Sequence, residues 1–485
     1  MALSAPLLDA LRTAVGAEHV LTDAAELATY DCDGLTGWRA QPAAVVLPGS
    51  AEEVQAVVAA CAAESVPFVA RGAGTGLSGG SLPVADGVVI ALTRMNRILE
   101  VDVESRRVVA QPGVTNLEVT HAVAPHGLFY APDPSSQQVC TVGGNVAENS
   151  GGAHCLKNGF TANHVSGAKL VLADGSLVEL GGKSLDHDGP DLLGAFIGSE
   201  GTLGIAVEIT LRVVPTPEVV TTLLAGFRTM EAGGEAVAAI IAEGITPAAI
   251  EMMDRLTIEA SEAAYHPGYP EGAASVLLVE LDGVAAQVEL DAASVERICT
   301  ARGAFEIRVA QDDAERALLW KGRKGAFPAV GRISPDYYVQ DGVVPRTKLG
   351  EVLVEIDRLA AAAGLRVGNV FHAGDGNLHP LVLYDTRVPG EADRAKHLAD
   401  EIAVACVEAG GSLTGEHGIG VDKACSMPSM FSEADLDAFD RLRRAFDPAG
   451  LANPGKVLPT PRLCGEVPGP YRMHPLERAG VADRF

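Results

Sequence analysis

The sequence predicts an α+β protein of about two or three domains. The chain has 485 residues, 47% of them hydrophobic, and 54 glycines, a composition that suits large cores joined by many tight loops. Strand and helix patterns alternate along the second half of the chain. Three glycine-rich loops interrupt the first half, between residues 71 and 204.

Residues 1–40 are predicted to form a helical segment followed by irregular chain. A βαβ-like unit begins after them, and its helix is opened by a capping box formed by Ser50 and Glu53. Apolar residues follow this box at helical spacing. A second capping box, Thr115 and Glu118, opens a later helix. The strands predicted in this half are Ala43–Leu47, Val66–Ala70, Asp86–Leu92, Ile98–Val103, Arg107–Gln111 and Ile205–Val214.

The first glycine-rich loop runs from Arg71 to Gly80 and contains five glycines in ten residues. Such a loop exposes successive backbone N–H groups and can cradle a pyrophosphate. A flexible turn is the alternative interpretation. The loop departs from the dinucleotide-binding fingerprint of doubly wound folds, because no helix is predicted to follow it.

Two further loop clusters have a similar composition. The second covers Ala131–Gln137, Thr141–Asn145 and Asn149–Gly152, and its density of Gly, Pro and Asn predicts that it is neither helix nor strand. The third is Ile197–Gly204. Long polar loops inside a compact domain are usually functional. The three clusters together indicate an extended ligand that is surrounded by backbone groups.

Pro215–Pro217 is predicted to be a linker, and an α+β domain follows it. A helix over 312–326 carries Trp320 and Arg323, and Arg323 is either a surface arginine on a packed helix or a functional residue. The other strands predicted here are Val219–Phe227, Ala249–Met252, Val276–Leu281 and Tyr337–Asp341. The other helices are 231–243, 254–264, 348–363, 391–409 and Glu433–Phe446.

Four residues near the end of this region have metal-ligand or base chemistry: His372, His379, Glu416 and His417. Two imidazoles and a carboxylate are a common ligand set for a divalent metal with an open position. Asp375-Gly376 predicts a two-residue hairpin turn, which would place Gly374 opposite Asn377, Ala373 opposite Leu378 and His372 opposite His379. Opposed residues share one face with Cβ atoms roughly 4.5–5.5 Å apart. Two ordinary histidines beside a turn are the alternative.

Several classes of protein are excluded by composition. The net charge of −26, from 37 basic and 63 acidic residues, argues against a nucleic-acid partner. No apolar run is long enough to span a bilayer, and no basic region marks a signal peptide, so we expect a cytoplasmic protein. The eight cysteines form no C-x-x-C motif, which excludes a thiol-redox or iron–sulfur ligand run and predicts free thiols.

Taken in order, the motifs of this chain resemble those of the FAD-linked oxidases with the vanillyl-alcohol oxidase and p-cresol methylhydroxylase fold, over about residues 40–460. Within that family they resemble the branch that contains the FAD-binding large subunits of glycolate oxidases (glycolate dehydrogenases). The motifs are R-G-A-G-T-G-L-S-G-G, A-P-D-P-S-S, G-G-N-V-A-E-N, G-S-E-G-T-L-G, F-P-A-V-G-R-I-S-P-D-Y-Y, H-A-G-D-G-N-L-H-P, G-E-H-G-I-G and N-P-G-K.

The resemblance implies a two-part FAD-binding domain of the vanillyl-alcohol oxidase type over 41–217. It implies an α+β substrate (cap) domain with the metal site over 218–445. Residues 446–485 would return to the FAD-binding domain and end in a loosely packed tail, with 461–485 as the tail.

The resemblance also implies which residues contact FAD. The pyrophosphate would be held by Arg71, Gly72, Gly74, Thr75, Gly76, Leu77, Ser78, Gly79 and Gly80. The flavin and ribityl region would contact Pro132, Asp133, Thr141, Gly143, Gly144 and Asn145, together with Asn149 and Gly151. The adenosine side would contact Gly198, Glu200, Gly201 and Ile205, and the C-terminal region would add Asn453 and Lys456. Residues 71–80 contain no histidine, so FAD is expected to be bound there without a covalent bond.

For the reaction, the resemblance implies a small D-2-hydroxy acid as substrate, glycolate first and D-lactate second. A divalent metal (zinc, manganese or iron) on His372, His379 and Glu416 would bind the substrate and lower its hydroxyl pKa. His417 would take the hydroxyl proton, and hydride would pass to flavin N5. Arg323 would pair with the substrate carboxylate. Leu381 stands where relatives that act on dicarboxylates carry Asn, which favours a small monocarboxylate.

Because the chain has no iron–sulfur ligands, the resemblance implies partner subunits of a glycolate oxidase complex. These are an iron–sulfur subunit and a second FAD-type subunit that deliver electrons to a quinone, so the chain would meet the inner face of the membrane only peripherally. Three alternatives stay open: a D-lactate or D-2-hydroxyglutarate dehydrogenase-like enzyme that acts alone, a flavin-free metal hydrolase, and a noncatalytic flavin-binding subunit.

Overall fold

The computed structural model describes residues 3–184 and 189–460, and the predicted tail at 461–485 lies outside them. The chain divides into two units by internal packing. Unit 1 comprises Met1–Ser150, Phe160–Thr216 and His417–Phe485. Unit 2 comprises Gly151–Gly159 and Pro217–Glu416. The short segment Gly151–Gly159, which follows the second glycine-rich cluster, therefore belongs to unit 2. Unit 2 ends at Glu416, and His417 begins the last segment of unit 1.

The described residues form mixed helices and strands, as the sequence predicts. The strands are β1 (Val20–Leu21), β2 (Ala44–Val46), β3 (Phe68–Arg71), β4 (Val88–Ala91), β5 (Ile98–Asp102), β6 (Arg107–Ala110), β7 (Leu128–Phe129), β8 (Val165–Val171), β9 (Leu177–Gly181), β10 (Ile205–Arg212), β11 (Val214–Pro215), β12 (Val219–Phe227), β13 (Ala249–Asp254), β14 (Ser275–Gly283), β15 (Glu306–Val309), β16 (Asp336–Val339), β17 (Gly342–Val343), β18 (Arg366–His372), β19 (Asn377–Leu378) and β20 (Pro380–Tyr384). The α-helices are α1 (Ala5–Val15), α2 (Ala24–Leu27), α3 (Ala51–Ala63), α4 (Asn116–Val123), α5 (Val142–Glu148), α6 (Cys155–Asn158), α7 (Leu192–Phe196), α8 (Met230–Ala242), α9 (Arg255–Tyr265), α10 (Ala285–Ala301), α11 (Asp313–Lys324), α12 (Ala326–Val330), α13 (Leu349–Ala363), α14 (Glu391–Glu408) and α15 (Glu433–Phe446).

The first sheet of unit 1 has the order β1-β2-β4-β3. Strands β2, β4 and β3 are parallel, and every residue of β2 and β4 is buried, as is usual for a parallel sheet covered on both faces. Helix α3 connects β2 to β3, and its apolar side chains at helical spacing enter the core that this sheet shares with α1. The predicted N-cap is present, because Ser50 Oγ accepts a hydrogen bond from Glu53 N at 3.3 Å.

The second sheet of unit 1 is antiparallel, with the order β5-β6-β10-β8-β9. Helix α4 begins with the predicted Thr115–Glu118 capping box and packs its buried valines into the core of this sheet. The C-terminal chain returns to the first sheet: Phe68 N donates to Leu451 O at 2.9 Å, and Asn453 N donates to Phe68 O at 2.8 Å. These bonds extend the β3 edge and hold the Asn453–Lys456 loop beside the glycine-rich loop that follows β3.

Unit 2 is built on one large sheet in the order β15-β12-β14-β13-β18-β19-β17, and β20 joins β18 to β16. Its core takes apolar side chains from β13, β14, β18 and β20 and from helices α9, α11 and α12. Strands β13 and β18 pair antiparallel with Glu251 opposite His372. A central pair of buried strands therefore carries the polar residues of the second predicted site.

Six cysteines are free thiols, as expected: Cys32, Cys61, Cys140, Cys155, Cys299 and Cys406. The expectation is wrong for Cys425, which is in a disulfide bond. Within the described ranges, no helix combines the length and the apolar character needed to cross a lipid bilayer.

Candidate functional site

The glycine-rich loop of unit 1 starts directly after β3, at the carboxyl end of a parallel strand. Gly74 and Gly79 have φ values of 71° and 77°, a conformation that residues with a side chain adopt rarely. No backbone N–H of residues 73–78 donates to any acceptor in the part of the chain that the structure describes. A run of unused N–H groups in one loop is suited to bind an anionic group. As predicted, no helix follows the loop.

The loop is packed closely on both sides. A Cβ atom on Gly72 would lie 2.3 Å from Thr141 Oγ1, and one on Gly79 would lie 2.3 Å from Val421 Cγ1. A Cβ atom on Gly420 would lie 2.0 Å from Ser78 O. These close contacts disfavour any side chain at the three glycines, and they show that the first loop packs against Thr141 of the second loop and against residues 420–421.

The second predicted loop cluster contains a helix, so the prediction that it has no regular structure is wrong. Helix α5 covers Val142–Glu148, and its N-cap Thr141 accepts a hydrogen bond from Gly144 N at 3.4 Å. Val142 and Val146 are fully buried in the core beneath it. Burial of this apolar face, together with the cap, outweighs the low helix propensity of two glycines.

The polar residues around α5 have defined partners. Asn145 Oδ1 accepts from Asn116 Nδ2 at 3.1 Å, and Asn116 Nδ2 also donates to Pro132 O at 3.0 Å. Asn149 is the left-handed C-cap of α5, and its Oδ1 accepts from Ala162 N at 2.9 Å. These bonds fix the backbone on either side of Gly143 and Gly144. Asp133, another predicted FAD contact, directly follows Pro132.

The third predicted loop and the C-terminal motif meet the first loop. Glu200 has a φ of 51°, and its carboxylate accepts hydrogen bonds from Ile419 N and Gly420 N, each at 2.7 Å. Asn453 Nδ2 donates to Gly80 O at 2.7 Å and to Glu200 O at 2.6 Å. Gly198 and Gly201 flank Glu200 with φ values of 79° and 72°, whereas Ile205 is buried at the start of β10.

Glu200 and Lys456 are buried ionisable groups in this part of unit 1. Burial raises the pKa of Glu200 to about 7, although hydrogen bonds from Ile419 and Gly420 oppose the shift. Burial and the nearby Glu200 carboxylate raise the pKa of Glu148 well above its usual range. Lys456 donates to Leu82 O at 2.9 Å, and burial lowers its pKa to about 8.

Buried polar atoms without a hydrogen-bond partner show where a ligand fits. Among the described residues, Arg71 Nη1, Ser78 Oγ and Ser199 Oγ are buried and have no partner. Each is a donor type, and each lies in or beside one of the glycine-rich loops. A bound group with acceptor oxygens, such as the phosphates and hydroxyls of FAD, would satisfy them. Of the predicted FAD contacts, Gly151 alone lies in unit 2.

In unit 2, the predicted pairing of the histidine hairpin is wrong. His372 lies opposite Asn377, and Asn369 lies opposite Pro380, so the turn covers residues 373–376. Tertiary hydrogen bonds set this register: Gly374 N donates to Ile250 O, and Val344 N donates to Gly376 O. The predicted strand register differs from the observed one by two residues. Since side chains alternate with a period of two, His379 is on the same face as His372 in both registers.

The three predicted metal-ligand residues lie together. His372 Nε2 and His379 Nε2 are 3.3 and 3.0 Å from Glu416 Oε1, and the two imidazole rings are 5.1 Å apart between centroids. Ligand atoms at zinc-like bond lengths in a tetrahedral site are about 3.3 Å apart. All three residues are at least largely buried, and a set of their ligand atoms lies within 4.8 Å of one another. The donor set and the spacing therefore fit a divalent cation.

The electrostatics of this cluster favour an ionised carboxylate. Burial alone would raise the pKa of Glu416, but hydrogen bonds from His372 and His379 lower it well below its usual range. Burial alone would lower the pKa of His372, but Glu251 and Glu416 raise it well above that of a free histidine.

Arg323 is not a surface residue, so that interpretation of the helix is wrong. It is 3% exposed on α11, and its Nη2 lies 2.5 Å from Glu251 Oε2. This contact is an ion pair without hydrogen-bond geometry, and Arg323 Nε and Nη2 are both buried with no hydrogen-bond partner among the described residues. Leu381 is fully buried in the apolar core of unit 2.

Sequence reasoning missed two residues beside the histidines. Glu251 accepts from His372 Nδ1 at 2.8 Å. Asp341 accepts from Gly415 N at 2.9 Å and lies 3.8 Å from His379 Nδ1. Both are acidic residues within predicted strands. Because a buried carboxylate is unusual, their positions in the sequence could have marked them as functional candidates. His417, the predicted base, is half-buried and is the first residue of the last segment of unit 1.

Comparison with known protein families identifies the class of this chain as an FAD-binding oxidoreductase. Residues 42–181 match the model of the FAD binding domain, and residues 216–457 match that of the C-terminal domain of FAD linked oxidases. The chain belongs to the family of FAD-linked oxidases and is an FAD-dependent enzyme.

Known proteins of this family are similar over nearly the whole chain. The chain is 50% identical over 468 residues to glycolate oxidase subunit GlcD of Escherichia coli (strain K12), covering 96% of this chain and 94% of that one. It is 34% identical over 438 residues to D-lactate dehydrogenase of Anaerostipes hadrus, covering 88% and 92%. A crystal structure of p-cresol methylhydroxylase with substrate bound matches with a TM-score of 0.74 at 18% identity, over 93% of this chain and 96% of that one. This likeness confirms the predicted fold.

Proposed function

We propose that this FAD-dependent enzyme oxidises small D-2-hydroxy acids, with glycolate as the preferred substrate and D-lactate as the second. The observation that carries the proposal is the convergence of His372, His379 and Glu416 in a chain that also has an FAD-binding domain. The similarity to a glycolate oxidase subunit and to a D-lactate dehydrogenase supports the class of substrate.

FAD would be held without a covalent bond by the loop from Arg71 to Gly80, the α5 region and the segment around Glu200. The unused N–H groups of the first loop and the unpartnered Arg71 and Ser78 side chains support this assignment. Bound FAD supplies the acceptor for the two electrons that leave the substrate carbon.

A divalent cation (zinc, manganese or iron) would be held by His372, His379 and Glu416. A cation bound there supplies Lewis acidity toward the substrate hydroxyl and carboxylate. The low pKa of Glu416 keeps this ligand ionised. The flavin-free hydrolase and the noncatalytic subunit are both disfavoured, because the chain has an FAD-binding domain and a complete ligand set.

The protein's own groups would bind and deprotonate the substrate. Arg323 has a buried, unpartnered Nε, which a substrate carboxylate would satisfy as a charge-assisted hydrogen bond. Leu381 lies in the apolar core and offers no polar group to a second carboxylate, which favours a monocarboxylate. His417 would accept the hydroxyl proton as a general base.

Electrons would leave through partner subunits, one an iron–sulfur protein and one a second FAD-type chain, toward a quinone. The similarity to a protein named as a subunit of glycolate oxidase supports this arrangement. In the test, the purified chain is given substrate with oxygen or with an artificial dye. Rapid turnover on oxygen alone, with stoichiometric peroxide, would favour an enzyme that acts without partners.

The main experiment is anaerobic single-turnover bleaching of the bound flavin with glycolate, D-lactate, L-lactate and D-2-hydroxyglutarate. We expect the flavin to be reduced by glycolate and D-lactate, and chelation to abolish reduction while FAD stays bound. Adding zinc or manganese should restore it. Fast bleaching by fully chelated protein would remove the metal from the proposal, and preference for L-lactate or the dicarboxylate would overturn the substrate class. Acid precipitation should release all of the yellow colour.

A further inference from the structure

The imidazole of His372 has a different partner on each of its nitrogen atoms. Nε2 faces Glu416 at 3.3 Å, and Nδ1 is 2.8 Å from Glu251 Oε1. Glu251 is 1% exposed and lies directly opposite His372 across the β13–β18 pair. The carboxylate is thus fixed by the sheet itself, on the side of the ring away from Glu416.

Glu251 is also held from its other side. Its Oε2 contacts Arg323 Nη2 at 2.5 Å, and both side chains are almost fully buried. Arginine is a permanent cation in proteins, so it acts as the counter-ion of the buried carboxylate. Glu251 therefore accepts a hydrogen bond from the imidazole through Oε1 and forms an ion pair with the guanidinium through Oε2.

We propose that Glu251 is a positioning residue that keeps the His372 proton on Nδ1 and so directs the Nε2 lone pair toward a divalent cation, with Arg323 as its counter-ion. A metal-binding histidine needs one nitrogen free of hydrogen, and a carboxylate on the other nitrogen fixes both the tautomer and the ring orientation. This inference rests on the metal site of the proposed function but assigns a role to a residue that is not itself a ligand.

The chain contains a matched control for this residue. Glu280 lies on β14, the strand next to β13, and is 2% exposed. Its carboxylate also pairs with one arginine and one histidine: Arg316 Nε at 2.9 Å and His154 Nε2 at 3.1 Å. His154 is not one of the three candidate ligands. Substitution of Glu280 therefore repeats the loss of a buried carboxylate without a change at the metal site.

The test measures the dissociation constant of Mn²⁺ and of Zn²⁺ for chelator-treated protein that retains FAD. Glu251→Gln offers one acceptor oxygen to two donors, so either Arg323 or His372 Nδ1 loses its partner. If the amide NH₂ faces Nδ1, the His372 proton moves to Nε2 and metal binding is blocked. Loss of such an outer partner costs about 10–100-fold in metal affinity. We expect that loss in Glu251→Gln and wild-type affinity in Glu280→Gln.

A rescue variant separates positioning from general loosening. In Glu251→Gln/Arg323→Met the guanidinium is absent, so the Gln oxygen is free to accept from Nδ1, and most of the lost affinity should return. This variant also buries no unpaired charge, so it serves as the test if Glu251→Gln fails to fold. Wild-type affinity in Glu251→Gln, or an equal loss in Glu280→Gln, would overturn the inference alone. Failure of the wild-type protein to bind either metal would remove the proposed metal site and this inference with it.

Discussion

Buried carboxylates occur in both units, but their partners differ. In unit 1, Glu200 receives hydrogen bonds from two backbone N–H groups, and Glu148 Oε2 is buried without a partner among the described residues. The pKa values of both are raised. In unit 2, Glu280 accepts from the side chains of Arg316, Trp320 and Thr222. Burial would raise the pKa of Glu280, but His154 and Arg316 lower it to about 2.

The difference between Glu200 and Glu280 shows that burial alone does not determine whether a carboxyl group is ionised. Burial is the largest single influence on Glu200 and on Glu280, and in each case it favours the protonated form. His154 and Arg316 reverse the effect of burial on the pKa of Glu280, whereas the backbone donors Ile419 and Gly420 do not reverse it for Glu200. The pKa values of Glu251 and Glu416 in unit 2 are also lowered against the effect of burial, by Arg323 and His372 at Glu251 and by His372 and His379 at Glu416.

The largest expected effect is that of removing His417, the proposed general base. Removing a general base lowers kcat about 10²–10⁴-fold, so we expect this loss in His417→Ala with a smaller change in KM. The measurement is single-turnover flavin reduction across pH. In the wild type, the rate of flavin reduction should rise with pH as an imidazole loses its proton, and in the variant this rise should be absent.

The control for His417→Ala is His397→Ala. His397 is an exposed residue of α14, with its side chain 63% accessible, and its removal should leave kcat unchanged. If the rising limb survives in His417→Ala, the base is another group.

The second prediction concerns Glu280. Because the pKa of Glu280 falls from its ordinary value of 4.5 to about 2 in the folded protein, the carboxylate contributes stability above pH 4.5 that is lost as the pH falls through 2. A shift of this size corresponds to about 3 kcal/mol. Glu280→Gln should lower the free energy of unfolding by about this amount at pH 7, measured with urea, and the gap from wild type should narrow toward pH 3. A pH-independent gap would show that the loss comes from packing instead.

The comparison also shows what sequence can and cannot predict. The three metal-ligand candidates could be found because His372, His379 and Glu416 belong to recognisable motifs. The hairpin register could not be predicted. It is set by hydrogen bonds from Gly374 to Ile250 and from Val344 to Gly376, and both partners are more than 30 residues away in the sequence. The shared face was still predicted correctly, since an error of two residues preserves the alternation of a strand.

Residues that act through other residues were the hardest to predict. Glu251 is 121 positions from His372 in the sequence and becomes its neighbour only through the β13–β18 pairing. Helix α5 was missed for a related reason: glycines are poor helix formers, and the buried faces of Val142 and Val146 that stabilise the helix are defined by the folded core. Local sequence patterns predict helices and strands, whereas the pairing of distant strands determines which residues become neighbours at these sites.

The third prediction tests whether unit 1 binds its ligand through close approach of backbone. A Cβ atom on Gly144 would meet only Thr141 Oγ1, at 3.5 Å, so the protein itself has room for a side chain. If FAD occupies that space, Gly144→Val should weaken FAD binding by about tenfold or more (1.4 kcal/mol) without loss of apoprotein stability. Gly182→Val is the control, because a Cβ atom there meets nothing within 4 Å. Unchanged FAD affinity in Gly144→Val would remove Gly144 from the cofactor site.

The smallest expected effect has the opposite sign to that at Glu280 and tests the comparison most directly. A Cβ atom on Gly80 would lie 2.5 Å from Glu148 Oε1 and 3.2 Å from Glu200 Oε2, so the two carboxylates approach the same point. A raised pKa means that ionisation of Glu148 destabilises the folded state increasingly as the pH rises above its unfolded value. Glu148→Gln removes that charge, and its NH₂ is able to donate to Glu200. We expect a small stabilisation at pH 8 that fades toward pH 4, where the wild-type carboxyl is protonated in the folded and unfolded states alike. The same Glu→Gln change would then stabilise unit 1 and destabilise unit 2, and equal destabilisation by both substitutions at neutral pH would contradict the distinction between the two sets of partners.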